Sequence, residues 1–247
     1  MATVKEIYNY IDKIAPFSTQ EEWDNSGLLV GDENKGVNKI LFALDITSDV
    51  VKQAIDCKAD LIITHHPIIF KPVSNVLSDS LIFKLIENGI SIISAHTNYD
   101  KATDGVNDIL CNTINASHFD KIDGTCLNVA YLNKDIVIDD FALYLRGKLG
   151  GVVRYNSIDK KINKIAVCSG SGSDYLQLAS ELNCDALLTG DASHHAFLDA
   201  NEMGIALFAC GHFETENIAI KPLAERISNE FMVDCVIANQ ISPIITI

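Results

Sequence analysis

Long apolar runs are absent from this 247-residue chain, and no segment approaches the roughly 18 consecutive apolar residues of a membrane-spanning helix. The first six residues carry an acidic side chain early and lack the apolar core of an export signal. Basic residues are scarce, since 19 Lys and Arg stand against 33 Asp and Glu, for a formal net charge of −14. Nucleic-acid binding draws its affinity from basic patches. We therefore expect a cytoplasmic protein that has neither a membrane nor a nucleic acid as its partner.

Paired cysteine motifs are missing as well. None of the seven cysteines stands in C-x-x-C spacing, and Cys57, Cys168, Cys184 and Cys210 lie in apolar segments. This pattern indicates reduced core residues rather than disulfides or metal ligands. Phosphate-binding fingerprints are also lacking: the loop 169–174 follows a predicted strand, but it has no Gly-Lys-Ser/Thr and no G-x-G-x-x-G. We interpret it as a tight turn, with an anion cradle at a helix N-terminus as the alternative.

What the chain does have is an apolar stretch, Leu61 to Thr64, that stops abruptly at His65, His66 and Pro67. Short apolar runs bounded by a breaker are typical of central strands in parallel sheets. Ligands bind at the carboxyl ends of such strands. Both histidines can therefore face one cleft, and two metal ions could share them. A surface histidine pair that caps a strand is the alternative interpretation.

The surrounding pattern predicts alternating strands and helices. Lys39 to Leu44 and Asp60 to Thr64 are predicted strands, and a helix with Ser48 as its N-cap lies between them. Strand, helix and strand in so short a stretch form a βαβ unit, and hence a parallel sheet. Further predicted helices cover 4–14, 81–87, about 105–113, 139–149 and 174–182, and further strands cover 28–30, 90–95, pieces of 119–133, and 163–168. The only tryptophan, Trp23, stands beside Asp-Asn-Ser-Gly turn chemistry, and we interpret it as a buried anchor under a loop.

The chain contains an internal repeat, because residues 38–64 align without a gap on residues 163–189. The identical pairs are Asn38/Asn163, Lys39/Lys164, Ile40/Ile165, Ser48/Ser173, Asp49/Asp174, Ala54/Ala179, Asp60/Asp185 and Thr64/Thr189. We expect an α/β protein of two related three-layer halves with mostly parallel sheets. The expected domains are 1–120 plus 205–247, which bind metal, and 121–204. The polar strand ends of both halves would meet in a cleft between them.

The histidines are clustered, and only His118 lies outside the clusters at the predicted strand ends. These clusters are His65-His66, His96 with Asp100, Asp191 with His194-His195, and His212 with Glu214 and Glu216. His212 and Glu216 share one face if the segment is helical. Histidine and carboxylate donors without thiolates suit Zn, Mn, Fe, Co or Ni. Three imidazoles and two acids exceed the needs of one catalytic zinc and suit two ions about 3.5–4 Å apart.

In this order and spacing, the motifs resemble those of the GTP cyclohydrolase 1 type 2 homologue family, also called the NIF-three-like family. The motifs are Trp23-Asp24-Asn25-Ser26-Gly27-Leu28, Thr64-His65-His66-Pro67, His96-Thr97-Asn98-Tyr99-Asp100, Thr189-Gly190-Asp191-Ala192-Ser193-His194-His195 and Gly211-His212-Phe213-Glu214-Thr215-Glu216. The resemblance spans nearly the whole chain. It implies two divalent metal ions per subunit in a cavity between the two halves, and a toroidal homohexamer.

The resemblance also implies a ligand set. One ion would take His65 and Asp100, the other His66 and His212, and Glu216 would bridge the two. Which ion takes which of the two adjacent histidines is left open, and Glu214 stays unassigned. The candidate catalytic residues are His194, His195 and His96. We expect His194 and His195 to line the cavity, where they could bind substrate or move protons, and a solvated first helical turn is the alternative. His96 is expected to orient ligands rather than bind metal.

Three functions remain open on the sequence. The family name implies a metal-dependent hydrolase that opens the imidazole ring of GTP with loss of formate, and Lys71 is a candidate contact for the triphosphate. The first alternative is a phosphoesterase on the same metal pair. The second is a non-catalytic protein that handles metal or binds a protein partner, as the interacting-factor name suggests.

Overall fold

A computed structural model describes residues 1–245 of the chain. Its helices are α1 (Val4–Ile14), α2 (Ser48–Asp56), α3 (Leu81–Glu87), α4 (Thr97–Lys101), α5 (Val106–Thr113), α6 (Ile138–Leu149), α7 (Leu176–Glu181), α8 (His194–Met203), α9 (His212–Glu216) and α10 (Ile220–Phe231). Its strands are β1 (Ala2–Thr3), β2 (Gly27–Val30), β3 (Gly36–Val37), β4 (Lys39–Ala43), β5 (Leu61–Thr64), β6 (Ser91–Ser94), β7 (His118–Lys121), β8 (Asn128–Val137), β9 (Arg154–Tyr155), β10 (Lys161–Val167), β11 (Ala186–Thr189), β12 (Ala206–Ala209) and β13 (Asp234–Ile237).

The chain forms two compact units. Unit 1 consists of Met1–Thr103 and Ala219–Ile241, and unit 2 consists of Asp104–Ile218 with residues 242–245. These bounds differ from the predicted domains, 1–120 plus 205–247 and 121–204. The reason is strand pairing: β12 pairs with β11 and β9, so residues 206–209 belong to the sheet of unit 2. The chain thus passes from unit 1 to unit 2 after residue 103 and returns after residue 218.

Unit 1 contains a five-stranded sheet in the order β13-β4-β5-β6-β2. All neighbouring pairs are parallel except β2, which runs antiparallel to β6 at one edge. Alternate strand residues point to opposite faces. One face packs Leu41, Ile62 and Ile92 against α2 and α3, and Ile40, Phe42, Leu61 and Ile63 from the opposite face are buried as well. A short antiparallel pair, β1 with β3, completes the unit.

Unit 2 contains a six-stranded sheet in the order β7-β8-β10-β11-β12-β9. The central strands β10, β11 and β12 are parallel, and the flanking strands are antiparallel. Ile165, Leu188 and Phe208 pack against α5 and α6 on one face. Ala166 and Leu187 pack against α7 and α8 on the other. Unit 2 is therefore a three-layer α/β/α sandwich.

The two units repeat one arrangement of elements, as the sequence alignment predicts. Unit 1 runs β4-α2-β5-α3-β6-α4, and unit 2 runs β10-α7-β11-α8-β12-α9. In each unit an antiparallel edge strand, β2 or β9, precedes this run in the chain and pairs with its third strand. The predicted α/β fold with duplicated halves and parallel sheet centres is confirmed.

Each repeat contains an aspartate clamp at an equivalent position: Asp60 in unit 1 and Asp185 in unit 2 each join the two repeat strands through hydrogen bonds. Asp60 Oδ2 accepts hydrogen bonds from the backbone amides of Asn38 and Lys39 at 2.9 and 3.3 Å, and Lys35 pairs with its other oxygen at 3.3 Å. Asp185 Oδ2 accepts from the amides of Asn163 and Lys164, both at 3.0 Å, and Lys160 pairs with it at 2.8 Å. Each clamp ties the start of the first repeat strand to the start of the second.

The helix ends follow local side-chain chemistry, with one correction. Helix α2 has Thr47 as its N-cap, and the Thr47 hydroxyl accepts a hydrogen bond from the Val50 amide at 3.2 Å. The prediction of Ser48 at this position is therefore wrong by one residue. Pro222 falls in the first turn of α10, where its missing N–H leaves no helical hydrogen bond unmade.

All seven cysteines lie within the described residues as free thiols, and five of them are buried. Cys57 and Cys235 are partly exposed, so the predicted core position is wrong for these two. Burial raises the pKa of Cys111 and Cys210 to about 12, so these two sulfurs are protonated at neutral pH. Among residues 1–245, no helix is both long enough and apolar enough to cross a membrane.

Candidate functional site

The carboxyl ends of β5 and β6 bring three imidazoles of unit 1 together. His65 and His66 follow β5, and His96 follows β6, its parallel neighbour. The ring centroids of His65 and His96 lie 5.0 Å apart, and those of His66 and His96 lie 5.4 Å apart. One ring nitrogen from each residue lies within 4.8 Å of the other two. The cluster sits at the sheet edge where an α/β fold places its ligands.

Each of these imidazoles has its Nδ1 atom anchored on an oxygen. His65 Nδ1 donates to the Ala95 carbonyl at 2.9 Å, which can only accept a hydrogen bond. His66 Nδ1 donates to Asp45 Oδ1 at 2.7 Å. His96 Nδ1 donates to Asp24 Oδ1 at 2.8 Å. In a neutral imidazole with a proton on Nδ1, the lone pair lies on Nε2. All three rings are therefore fixed in the tautomer that offers Nε2 as a ligand.

Asp24 is the buried anchor of the loop before β2. Burial opposes its ionisation, but hydrogen bonds from His96 and Thr97 outweigh this effect and hold the pKa of Asp24 well below its ordinary value. Its neighbour Trp23 is 59% exposed. The interpretation of Trp23 as a buried anchor is therefore wrong, because the carboxylate next to it fills that role.

Asp100 lies on α4, a single helical turn whose residues 97–100 are buried. Its Oδ1 atom lies 3.6 Å from His65 Nε2, and the residue is only 8% exposed. A buried carboxylate is costly unless it is paired or binds a cation. The hydrogen bond from His65 Nδ1 to Ala95 puts the lone pair of this ring on Nε2, and Asp100 lies beside that atom.

In unit 2, helix α9 places His212 and Glu216 on one face, as the predicted helical spacing requires. His212 Nε2 lies 3.1 Å from Glu216 Oε2, and Glu216 is 4% exposed. His212 Nδ1 donates to Asp191 Oδ2 at 2.8 Å. This is the same arrangement as in unit 1, with Nδ1 held by an acceptor and Nε2 directed at a buried carboxylate.

Two glycines permit this close packing in unit 2. Gly170 has φ +58°, and a Cβ atom there would collide with Glu216 Oε1. At Gly190, a Cβ atom would lie 2.6 Å from the Gly170 carbonyl oxygen and 2.7 Å from Thr215 Oγ1. The loops after β10 and β11 therefore approach α9 more closely than any side chain would allow.

The loop 169–174 bends at Gly170 and Ser171 and then enters a short 3-10 helix, Ser173–Tyr175. The amides of Ser169, Gly170 and Gly172 donate to the side chains of Asn107, Thr215 and Thr189, respectively. These three amides are therefore already satisfied within unit 2, and the anion cradle at the following helix N-terminus stays an alternative prediction.

The other candidates are more exposed. His194 and His195 are exposed on the first turn of α8, and His195 borders a surface cavity of about 240 Å³ together with Ser193 and Asp199. Lys71 is exposed in the segment that follows the histidine pair. Their roles in substrate binding or proton transfer stay predictions.

Sequence reasoning missed the anchoring roles of Asp24, Asp45 and Asp191. Asp24 and Asp191 stand inside the motifs quoted above, but no pattern marks them as hydrogen-bond acceptors for histidines. Asp45 lies two residues beyond β4, and its position after a predicted strand was the one available signal.

The donor chemistry of each unit fits divalent metal ions. Unit 1 offers the Nε2 atom of His65 beside the carboxylate of Asp100, and unit 2 offers that of His212 beside the carboxylate of Glu216. Nitrogen and oxygen donors of this kind suit Zn, Mn, Fe, Co or Ni. Anchored Nδ1 atoms are typical of histidines that bind metals, because the anchor fixes the ring and raises its basicity.

Comparisons with known proteins agree on one family. The model of the family Duf34/NIF3 (NGG1p interacting factor 3) matches residues 2–243. A Clostridium acetobutylicum protein named GTP cyclohydrolase 1 type 2 homolog is 38% identical over 230 residues, which cover 86% of this chain and 85% of the relative. A Clostridium perfringens protein of the same name is 35% identical over 237 residues, covering 91% and 90%. The crystal structure of a Staphylococcus aureus hypothetical protein matches with a TM-score of 0.92 at 28% identity, covering 99% of each chain. The chain therefore belongs to the Duf34/NIF3 family.

Proposed function

We propose that the protein is a metal-dependent hydrolase that uses two divalent ions per subunit. The proposed ligands are His65, His66, Asp100, His212 and Glu216. The observation that carries the proposal is the shared orientation of the imidazoles, since each ligand histidine has its Nδ1 atom held by an oxygen acceptor. In this tautomer Nε2 carries the lone pair that would bind a cation.

The chain's own residues would orient the ligands. Asp45 and Asp191 hold the rings of His66 and His212 through charge-assisted hydrogen bonds. The Ala95 carbonyl holds the ring of His65. When bound, two divalent ions would acidify water and offset negative charge on a phosphorylated substrate.

The proposed reaction begins with hydrolytic opening of the imidazole ring of GTP, in which two water molecules cleave both C8–N bonds and C8 leaves as formate. The resulting diaminopyrimidine rearranges at its ribose and closes a new ring with loss of one water, which gives dihydroneopterin triphosphate. The names of the clostridial relatives support this substrate. A chain with a net charge of −14 needs local positive charge to hold a triphosphate. Bound metal ions and the exposed Lys71 would supply it, and His194 or His195 would transfer protons.

The proposal extends to assembly and location. We propose a toroidal ring of six copies in the cytoplasm, and sedimentation analysis of the purified protein tests the copy number. A monomer at micromolar concentration would contradict the ring and would leave the proposed ligand set intact.

Turnover by purified, metal-loaded protein tests the reaction. Formate release from GTP supports the proposal. Phosphate release from a generic phosphodiester without formate would instead support a phosphoesterase on the same metals. Tight metal binding without turnover of either compound would support a metal-handling or partner-binding protein, the role that the family description, NGG1p interacting factor 3, favours.

Elemental analysis of variants tests the ligands independently of activity. His66→Ala and Glu216→Ala should lose one or both metal ions while circular dichroism shows an intact fold. His118→Ala is the matched control, because His118 is exposed on β7 and stacks on Tyr131 in unit 2. Unchanged metal content in both ligand variants would refute the proposed site.

A further inference from the structure

Two aromatic side chains of unit 1 are exposed together. Trp23 is 59% exposed and Phe70 is 45% exposed. Their ring centroids lie 5.7 Å apart at an interplanar angle of 20°, which is an offset stack. Large aromatic side chains are mostly buried in a single folded chain, so an exposed stacked pair indicates a surface that binds something.

The pair adjoins the histidine cluster. Trp23 and Phe70 each approach the His96 ring at an angle near perpendicular, with centroids 5.9 and 5.8 Å away. The His96 ring in turn lies 5.0 Å from that of His65. A continuous row of rings therefore runs from solvent to the buried His65, and a molecule on Trp23 would reach the histidine cluster.

The two rings are held in place by their loops. Asn25 Nδ2 donates to the Ile69 carbonyl at 2.6 Å, which ties the loop of Trp23 to the segment of Phe70. The buried Asp24 is fixed by His96 and Thr97. Because the surface is ordered before anything binds, little conformational entropy is lost on binding.

We propose that Trp23 and Phe70 form a stacking platform for the planar nitrogen heterocycle of the substrate, a purine base or a ring of similar shape. This inference rests on the proposed function and names how that site recognises the ring. A heterocycle inserted between two rings needs them about 7 Å apart, since each stacked contact takes about 3.5 Å. The 5.7 Å separation is too small, so the base stacks on the outer face of Trp23, the more exposed ring of the pair.

The sequence supplies a direct reporter of this platform, because Trp23 is the only tryptophan. We would titrate the full-length protein with GTP, guanosine and tripolyphosphate and follow tryptophan fluorescence, excited at the red edge of the indole band. Guanosine and GTP should quench the emission and saturate. Tripolyphosphate, which has no ring, should leave it unchanged.

Variants separate ring stacking from general apolar contact. Phe70→Leu retains the reporter and removes the ring that stacks on the inner face of Trp23. Because Trp23 then loses its aromatic support, guanosine binding should weaken by about fivefold. Leu77→Ala is the matched control: Leu77 is an apolar residue, 61% exposed, in the same surface segment. This control should bind guanosine with unchanged affinity.

The proposal is overturned if guanosine and GTP leave the Trp23 emission unchanged, or if tripolyphosphate quenches it to the same extent. Dilution of the protein without ligand is a further test. If dilution shifts the Trp23 emission and makes Trp23 more accessible to quenching by acrylamide, a second copy of the chain covers the aromatic pair, and the proposal is wrong. The two proposals can fail separately. Formate release with an unresponsive Trp23 rejects only the platform, whereas a saturable response without metal binding or turnover rejects only the hydrolase.

Discussion

Gly170 lies where a methyl group has no room, and this makes it a specific test of the proposed metal centre. Gly170→Ala would push against Glu216 Oε1. We expect the variant to fold and to lose metal affinity by at least about tenfold, because the carboxylate must leave its position beside His212. Metal content after dialysis against a graded chelator series measures the effect.

Gly204→Ala is the matched control for backbone strain. Gly204 has φ +65°, close to the +58° of Gly170, but a Cβ atom there would meet nothing within 4 Å. Both variants should lose about 1 kcal/mol of stability from the left-handed backbone. Equal metal affinity in the two variants would show that the contact with Glu216 is irrelevant.

Asp45 permits a second test at the residue scale, since it holds His66 without being a proposed ligand. Asp45→Ala removes the acceptor of the 2.7 Å hydrogen bond from His66 Nδ1. Metal affinity should fall about 10- to 100-fold while the fold persists, because the ring loses its fixed orientation. Isothermal titration with Zn²⁺ measures this, with the exposed Asp56→Ala as the control. An affinity equal to that of the control would mean that the anchor contributes nothing.

At this scale, the sequence predicted the chemistry-bearing side chains better than their surroundings. The spacing of His212 and Glu216 on one helical turn is confirmed. The anchors of the histidines could not be predicted, because Asp24 and His96 are joined through tertiary structure and no local pattern relates them. The exposure of Trp23 has the same cause: Asp24 is the buried residue of this loop, and composition cannot show which neighbour faces inward.

At the scale of elements, the paired aspartate clamps predict a specific response to acid. Burial alone would raise the pKa of Asp60 and Asp185, but the backbone amides and the lysine partners outweigh burial and lower both values. A carboxyl with a lowered folded-state pKa contributes stability above its unfolded value, near 3.9. That contribution is lost as the pH falls further, through the folded-state value.

Asp60→Asn and Asp185→Asn should each cost about 2 kcal/mol at neutral pH. The difference from the parent protein should shrink progressively below about pH 4, where the parent carboxyls take up protons. Urea denaturation midpoints at a series of pH values measure both effects. If the stability difference between each variant and the parent stays constant from neutral pH to strong acid, the ionised carboxylates do not stabilise the two repeats.

The N-terminus of α2 provides a second prediction for an element. Thr47→Ala removes the hydroxyl that caps the Val50 amide and should cost about 1 kcal/mol. Ser48→Ala should change stability by much less, because Ser48 is the first helical residue. Thermal melting of the two variants side by side decides between them, and the reverse order would restore the assignment of Ser48 as the cap.

Most strands and helices were predictable because their apolar periodicity is strong. Helix α1 and the strand β5 have the bounds that their patterns indicate, to within one residue. Helix α4 was missed, since five residues are too few for a period to show. Strand β8 continues to Val137, past the predicted end near Asn133, as its exposed polar residues carry no apolar signal.

At the scale of the whole molecule, the crossings between units after residues 103 and 218 predict unequal fragments. Residues 104–218 contain every strand of the six-stranded sheet and both of its apolar layers. Residues 1–103 lack β13, which pairs with β4, and lack α10, which follows the second crossing. The fragment 104–218 should unfold cooperatively on heating. The fragment 1–103 should be partly unfolded and prone to aggregate through the unpaired edge of β4.

Circular dichroism melts of both fragments measure this, and a third sample with 219–241 appended to 1–103 through a flexible linker is the control. Cooperative melting should return in the third sample. If 1–103 melts as cooperatively as 104–218, then β13 and α10 are dispensable for unit 1.

The domain bounds could not be predicted from the repeat, although the repeat itself could. The alignment of 38–64 with 163–189 correctly indicates two related halves. However, the helix after each half belongs to the other unit: α5 follows α4 yet packs in unit 2, and α10 follows α9 yet belongs to unit 1. A sequence pattern shows where a copy begins, but not which sheet its last elements join.

The return of the chain after residue 218 also fixes an order of events on the ribosome. Unit 1 begins first, but its sheet waits for β13, which is translated after the whole of 104–218. At ordinary translation rates the delay is on the order of ten seconds. During this delay unit 2 can already finish folding, while the edge of β4 in unit 1 stays unpaired. We therefore expect the nascent chain to depend on chaperones most in this interval.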